Sequence, residues 1–326
     1  MIRARITGTG SYAPAKVVTN HDLEKFLDTN DEWIRTRTGI VERHLVVEGE
    51  NNSDLATRAA QNALEMAGVK PEEIDLIILA TVTGDYPWPA TACLVQSNLG
   101  AVNAGAVDVS AACSGFLYAL SLASDRIMAG NARKVLVIGS EVFSRIVNWE
   151  DRNTCVLFGD GAGAAVLEAC EDDHGILSSH LYADGSQVEL LYQPGFGTRM
   201  QPTAEALARG DHYVRMQGNE VFKVAVRSMA EVAKTALDAN NMSVEDVDLF
   251  IPHQANVRIL DATAKRIGLK DEQVYINVDR FGNTSAATIP IALDEVNRAG
   301  RLKDGDILLL DAFGGGFTWA SVLIRW

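Results

Sequence analysis

The chain has 326 residues, 47% of them hydrophobic, with 43 acidic against 29 basic residues and a formal net charge of −14 at pH 7. That length and apolar fraction can bury a core of one large domain or two ordinary ones. The negative charge disfavours a general nucleic-acid binder or a protein of anionic membrane surfaces, so an anionic partner would have to meet a local basic patch.

The N-terminal "MIRARITGTGSYAP" has no apolar core of a signal peptide, and no apolar run approaches membrane-spanning length, so a cytoplasmic location is expected. Four cysteines without a C-x-x-C pair and six histidines without close spacing predict reduced thiols and no metal; "EDDHG" at 171–175 reads as a solvated turn. "ITGTGSYA" at 6–13 fits G-x-G-x-x-A after a strand. Pro14 and "KVVTN" stand where the phosphate-binding helix would begin, which argues against a dinucleotide cofactor.

Next comes "AAQNALEMAGVKPEEIDLIILATVTG" (59–84), a helix of 3.6-residue apolar spacing, a Gly stop, a Pro-started turn and an apolar strand. "VDVSAACSGFLYALSLA" (107–123) reads as a short buried strand running into a helix, with Cys113 at the joint and Phe116, Leu120, Ala123 and Ile127 on one face. "KVLVIGS" follows as a strand, and the glycines of "FGDGAGAA" (158–165) read as turn glycines before a strand. The same grammar then repeats. "VAKTALDANNMSVEDVDLFIPHQAN" echoes the helix–turn–strand unit, and "INVDRFGNTSAATIPIALDEVNRAGRLKDGDILLLDAF" echoes the strand–turn–helix–strand unit. "GGGFTWASVLIRW" echoes the glycine turn. Two pseudo-symmetric α/β halves, 1–172 and 173–326, are the economical reading. Near-continuous apolar strands imply sheets covered by helices on both faces. The polar stretch 184–213 has no echo and is expected to be a surface excursion of the kind that roofs a site.

Cys113 at a helix start meets unpaired N–H groups and the positive dipole end, which stabilise a thiolate, the form that attacks carbonyls. Read singly, Cys113 also fits a small buried hydrophobe, His253 a core or loop histidine, and Asn283 a turn residue ahead of a helix. Matched strand ends in the two halves should converge on one cleft. A His and an Asn beside a thiolate suit a carbanion reaction, because both donate hydrogen bonds to a thioester oxygen that becomes an enolate as carbon dioxide leaves. Glycines in "AFGGGF" let backbone N–H groups approach a reacting oxygen, although tight turns want them too.

"SAACSGF", "PHQAN", "GNTSAA" and "AFGGGFTW", in that order and after "TNDEWIRTRTGI", closely resemble the β-ketoacyl-acyl-carrier-protein synthase III family of the thiolase superfamily, over nearly the whole chain. The resemblance implies a five-layered α-β-α-β-α fold, a homodimer, no cofactor, and a decarboxylating Claisen condensation of an acyl-CoA primer with malonyl-acyl-carrier protein that initiates fatty-acid synthesis. It implies that Cys113 carries the acyl group, that His253 and Asn283 promote decarboxylation, and that the N–H groups of Cys113 and Gly315 form the oxyanion hole. A thiolase would carry a second cysteine near the C-terminal glycines, and elongating synthases a second histidine where Asn283 stands.

By the same resemblance Trp33, Arg37 and Arg152 grip the nucleotide of CoA, and Phe222 and Asn256 line its channel. Asn153 departs from the glycine expected beside the arginine. Phe313 lies beside the acyl site, and Trp88 closes the acyl pocket across the dimer, which favours a short primer such as acetyl. Lys223, Arg227, Arg258 and Lys265 are the expected carrier-protein docking patch, with a solvated helix face as the plain alternative. Other readings are a related acyltransferase or condensing enzyme of secondary metabolism, and an idle scaffold that binds acyl-CoA.

Overall fold

The computed structural model describes residues 2–326. The first sheet takes its strands from residues 3–170: β1 (Arg3–Tyr12), β2 (Leu76–Ala80), β3 (Gly105–Val109), β4 (Lys134–Val142) and β5 (Asp160–Cys170), in spatial order β1-β5-β4-β2-β3. The second takes β6 (Gly175–Ala183), β7 (Leu249–Pro252), β8 (Ile307–Gly314) and β9 (Thr318–Arg325), in order β7-β8-β9-β6. The pairing directions repeat. β4 with β2 and β8 with β7 are parallel, while β4 with β5 and β8 with β9 are antiparallel.

Seven helices place the layers: α1 (Asp31–Thr38), α2 (Asn52–Ala67), α3 (Thr91–Leu99), α4 (Gly115–Met128), α5 (Gly218–Ala239), α6 (Val257–Ile267) and α7 (Thr288–Arg298). Apolar residues of α4 and α7, among them Phe116, Leu120, Ile127, Ile289 and Leu293, pack into one buried cluster with Val137 and Leu167 of the first sheet and Ile251, Leu310 and Val322 of the second. The Phe116, Leu120, Ala123 and Ile127 face read from the sequence is this central face. Ala59, Ala63 and Val95 of α2 and α3 cover the outer face of the first sheet, and Ala233, Leu237 and Ala264 of α5 and α6 cover that of the second. The result is the five-layered α-β-α-β-α thiolase fold.

Three local expectations are corrected. Gly161 and Gly163 lie inside β5 rather than in a turn, because the backbone of α7 crosses there: a Cβ on Gly163 would sit 2.6 Å from the Pro290 carbonyl carbon. The strand before Cys113 is not wholly buried. β3 is the sheet edge, and Val107 is 44% exposed. The expected strand at "INVD" is not formed; the fifth position of the second sheet is only an isolated parallel bridge between Phe250 and Val274. The glycines of "ITGTGSYA" lie within β1 and face α2, whose Ala67 nitrogen would be 2.6 Å from a Cβ on Gly8. They serve helix-on-sheet packing.

Gly163→Ala should therefore destabilise the protein by about 2 kcal/mol or more, the scale of an overpacked core, read as a lowered thermal midpoint. An unchanged midpoint would show that α7 is free to move off the sheet.

Candidate active site

Between β3 and α4 the chain makes a 3-10 turn, Ala112–Ser114, entered through Ala112 at φ 46°. Alanine rarely adopts that conformation, and strained backbone of this kind concentrates at functional sites. The second half repeats the device before α7, with the turn Ser285–Ala287 entered through Ser285 at φ 51°. The Cys113 turn is tied to the β8–β9 hairpin: Ser114 Oγ donates to Thr318 Oγ1 at 2.7 Å, and Thr318 Oγ1 donates to the Ala111 carbonyl at 2.9 Å. The hairpin comes so close that a Cβ on Gly314 would sit 2.6 Å from the Cys113 nitrogen. Only glycine allows that approach.

His253 follows β7, and its N–H donates to the Asp311 carbonyl at 2.7 Å, extending the register with β8 by one residue. Its Nδ1 lies 2.7 Å from Thr288 Oγ1. Burial pushes the imidazole down to about 3, so the ring is neutral near pH 7. Asn283 is held by its backbone between Leu157 and Gly159: its N–H donates to the Leu157 carbonyl at 2.8 Å and its carbonyl accepts from Gly159 at 3.1 Å. Its side-chain Oδ1 accepts from the Ser285 N–H at 2.9 Å, which leaves Nδ2 as the outward donor.

These residues meet in one cavity of about 390 Å³, whose walls include Cys113, His253, Asn283, Asn256, Phe313 and Gly315. The excursion at 184–213 supplies Val188, Leu191 and Tyr192 to the same wall. Cys113 is 7% exposed, and here burial overrides the helix terminus: desolvation pushes the thiol up to about 12. The thiol is therefore protonated at rest, a correction to the thiolate expected from the dipole.

Outside the cavity the picture is mixed. Arg37 and Arg152 lie over the Trp33 ring at 4.5 and 5.3 Å from its centroid, a cationic aromatic cluster on the surface. Arg152 also donates to the Asp28 carbonyl. Asn256 spends its Oδ1 on capping α6, accepting from the Ile259 N–H at 3.1 Å. Phe222 is half-buried in the cluster behind the wall, with Phe313 and Phe317, and is not on the cavity surface. Trp88 is 86% exposed and does not reach the cavity of its own chain. Lys223 is paired with Glu220 at 2.8 Å, whereas Arg227, Arg258 and Lys265 are exposed and have no carboxylate partner among the described residues.

Family models described as 3-oxoacyl-[acyl-carrier-protein] synthase III and as its C-terminal part match residues 107–185 and 237–326. A β-ketoacyl-[acyl-carrier-protein] synthase III of Caldanaerobacter subterraneus is 54% identical over 325 residues, covering 100% of this chain and 98% of the relative. The chain belongs to the β-ketoacyl-acyl-carrier-protein synthase III family. The crystal structure of 3-oxoacyl-[acyl-carrier-protein] synthase III from Aquifex aeolicus superposes with a TM-score of 0.93 at 51% identity, over 99% of this chain and 100% of that one. The priming β-ketosynthase of the R1128 polyketide biosynthetic pathway superposes with a TM-score of 0.92 at 35% identity, over 99% and 96%. As a synthase III family member the protein is a condensing acyltransferase of fatty-acid synthesis.

Sequence reasoning passed over Glu141, Ser285 and Thr288. The signal for Glu141 was a carboxylate at the end of an apolar strand. For the other two it was a pair of hydroxyls two and five residues beyond Asn283. Because His253 is held neutral, its ring nitrogen shifts should stay those of an uncharged imidazole between about pH 5 and 9. A titration midpoint near the ordinary 6.5 in an NMR series would contradict the buried setting.

Proposed function

We propose that Cys113 is the nucleophile that takes an acyl group from acyl-CoA, and that His253 and Asn283 then drive decarboxylation of malonyl-acyl-carrier protein, whose carbanion attacks the acyl-enzyme. The observation that carries this reading is the convergence of the three side chains, drawn from both sheets, on one cavity. The halves 1–172 and 173–326 would thus divide the labour, one holding the acyl group and the other the enolate.

In the first half-reaction Cys113 Sγ attacks the thioester carbonyl. The oxyanion faces the N–H groups of Cys113 and Gly315, fixed by the hairpin contact at Gly314, and CoA leaves as its thiol. In the second, the malonyl thioester oxygen accepts from Asn283 Nδ2 and His253 Nε2. Neutral His253 can donate from Nε2 only if Nδ1 accepts, and the Thr288 hydroxyl at 2.7 Å is the available donor. The Ser285 carbonyl, the hydroxyl's other acceptor at 3.0 Å, keeps the Thr288 backbone N–H as its partner. No cofactor is needed for these steps, because the carbanion forms against hydrogen-bond donors alone.

The Trp33, Arg37 and Arg152 cluster suits an adenine ring and phosphates, so we place the CoA nucleotide there, with Asn256 along the pantetheine path and Phe222 behind it. Arg227, Arg258 and Lys265, with Lys223 beside them, give an otherwise acidic protein the local cations that an acidic carrier protein requires. The unpaired β3 edge, with Val107 44% exposed, would add a second copy of the chain across the sheet. In that homodimer, working in the cytoplasm, Trp88 would reach the partner's acyl pocket and favour acetyl-CoA. The likeness to a priming polyketide synthase supports a second reading, priming of a secondary-metabolite chain.

With acetyl-CoA and malonyl-acyl-carrier protein the enzyme should release carbon dioxide and form acetoacetyl-carrier protein. His253→Ala and Asn283→Ala should each lower condensation by about a hundredfold or more while still accepting the acyl group. Loss of acylation in step with condensation would remove them from the decarboxylation role. Arg258→Glu should raise the apparent KM for malonyl-carrier protein about tenfold, ~1.4 kcal/mol, and spare acetyl-CoA loading. Equal effects on both would dismiss the docking patch. Trp88→Ala should extend acceptance to longer acyl-CoAs, and unchanged selectivity would place the pocket's end elsewhere.

A further inference from the structure

Ser285 makes three bonds, and two of them lead to the donors assigned to decarboxylation. Its N–H donates to Asn283 Oδ1 at 2.9 Å, which turns Nδ2 outward. Its carbonyl accepts the Thr288 N–H, closing the turn that brings the Thr288 hydroxyl to 2.7 Å from His253 Nδ1. The third bond anchors the residue: the Ser285 hydroxyl donates to Glu141 Oε1 at 3.1 Å. Ser285 is fully buried at φ 51°, a conformation that a residue other than glycine keeps only where the surroundings fix it. Glu141, on β4, is also 0% exposed, and among the described residues no cation pairs with it. Its Oε2 accepts from Thr81 Oγ1, the Val82 N–H and the Thr83 N–H, each at 3.1 Å, and from the Thr83 hydroxyl. Thr83 Oγ1 in turn accepts the Val142 N–H at 2.8 Å. Four donors on one oxygen fix the carboxylate, and the other oxygen is left for Ser285.

We propose that Glu141 and Ser285 are positioning residues for the decarboxylation step: the carboxylate anchors the Ser285 hydroxyl, and the Ser285 main chain sets Asn283 directly and His253 by way of Thr288. This rests on Asn283 and His253 being the donors to the enolate oxygen. Two donors must reach one oxygen, so a displacement of the turn that carries both moves them off target together. The first half has no counterpart of this anchor. Ala112 stands at the matching place with φ 46° and has no hydroxyl, and the Cys113 turn is tied instead to the β8–β9 hairpin through Ser114 and Thr318. The two turns are anchored separately, so the bond between Ser285 and Glu141 bears on the second half-reaction and not on acylation.

The test follows the two half-reactions separately: acetylation by acetyl-CoA, read by intact-protein mass, and condensation of the preloaded acetyl-enzyme across a range of malonyl-carrier-protein concentrations. The proteins are the wild type, Ser285→Ala, Glu141→Gln, the double variant, and Asn283→Ala as the reference. Alanine already occupies the matching conformation at Ala112, so Ser285→Ala removes the hydroxyl alone. Glu141→Gln keeps an oxygen for the donors of residues 81–83 and turns an amide toward Ser285. Ser285→Ala should lower the condensation kcat about tenfold, with KM for malonyl-carrier protein and the acetylation rate unchanged. Glu141→Gln should lower kcat by a smaller factor and add nothing in the Ser285→Ala background, because its influence passes through that hydroxyl. Wild-type condensation in both single variants while Asn283→Ala is slow would overturn the proposal. So would losses that multiply in the double variant, or acetylation that falls in step with condensation, since either marks a general loosening of the structure. Normal condensation by Asn283→Ala would instead overturn the decarboxylation reading on which the proposal rests.

Discussion

The contact on which the site depends is the seating of α7 against the first sheet. At Gly139 a side chain would overlap the Ala286 carbonyl, and at Gly163 the backbone of Pro290 and Ile291 takes the space. Helix α7 belongs in sequence to the second half, yet its entry turn lies on the first-half sheet that leads to Cys113. Asn283, Ser285 and Thr288 are therefore delivered to the neighbourhood of Cys113, some 170 residues earlier in the chain. Close packing permits only one such arrangement, because interiors at this density have no slack for a helix to slide.

The second constraint is electrostatic. Cys113, His253 and Glu141 are all buried, and burial works against the charged form of each: thiol and carboxyl move up, imidazole down. The site consequently rests with a protonated thiol beside a neutral imidazole, not as an ion pair. That suits chemistry in which charge appears only in passing, first on a thioester oxygen and then on an enolate. Preorganised donors such as Asn283 Nδ2 and the hairpin amides act most strongly in such a dry setting.

The repeated grammar of the two halves was legible because helix stops, turn residues and apolar strands are local signals. Cys113 and His253 were legible because each follows a strand, whereas Asn283 was legible from its small-residue turn alone, no strand forming before it. What local pattern could not give was which glycines serve turns and which serve contact. Gly161 and Gly163 look like a loop until α7 is laid across them. Nor could it give the balance between helix dipole and burial at Cys113, since burial is a property of the whole fold. Glu141 was invisible for the same reason: four of its five hydrogen bonds come from the single segment Thr81, Val82 and Thr83 and the fifth from Ser285, both far from it in sequence. Trp88 shows the opposite limit: it is 86% exposed, so the acyl-pocket role proposed for it would require a second copy of the chain.

The central claim is that the buried thiol of Cys113 carries the acyl group. Intact-protein mass after incubation with a panel of acyl-CoAs, followed by peptide mapping, tests it most directly, with Cys113→Ala as the control. One acyl increment located on Cys113 and absent from the variant is the predicted result, and its extent ranks the primers. An increment on another residue, or one that survives the substitution, would contradict the account.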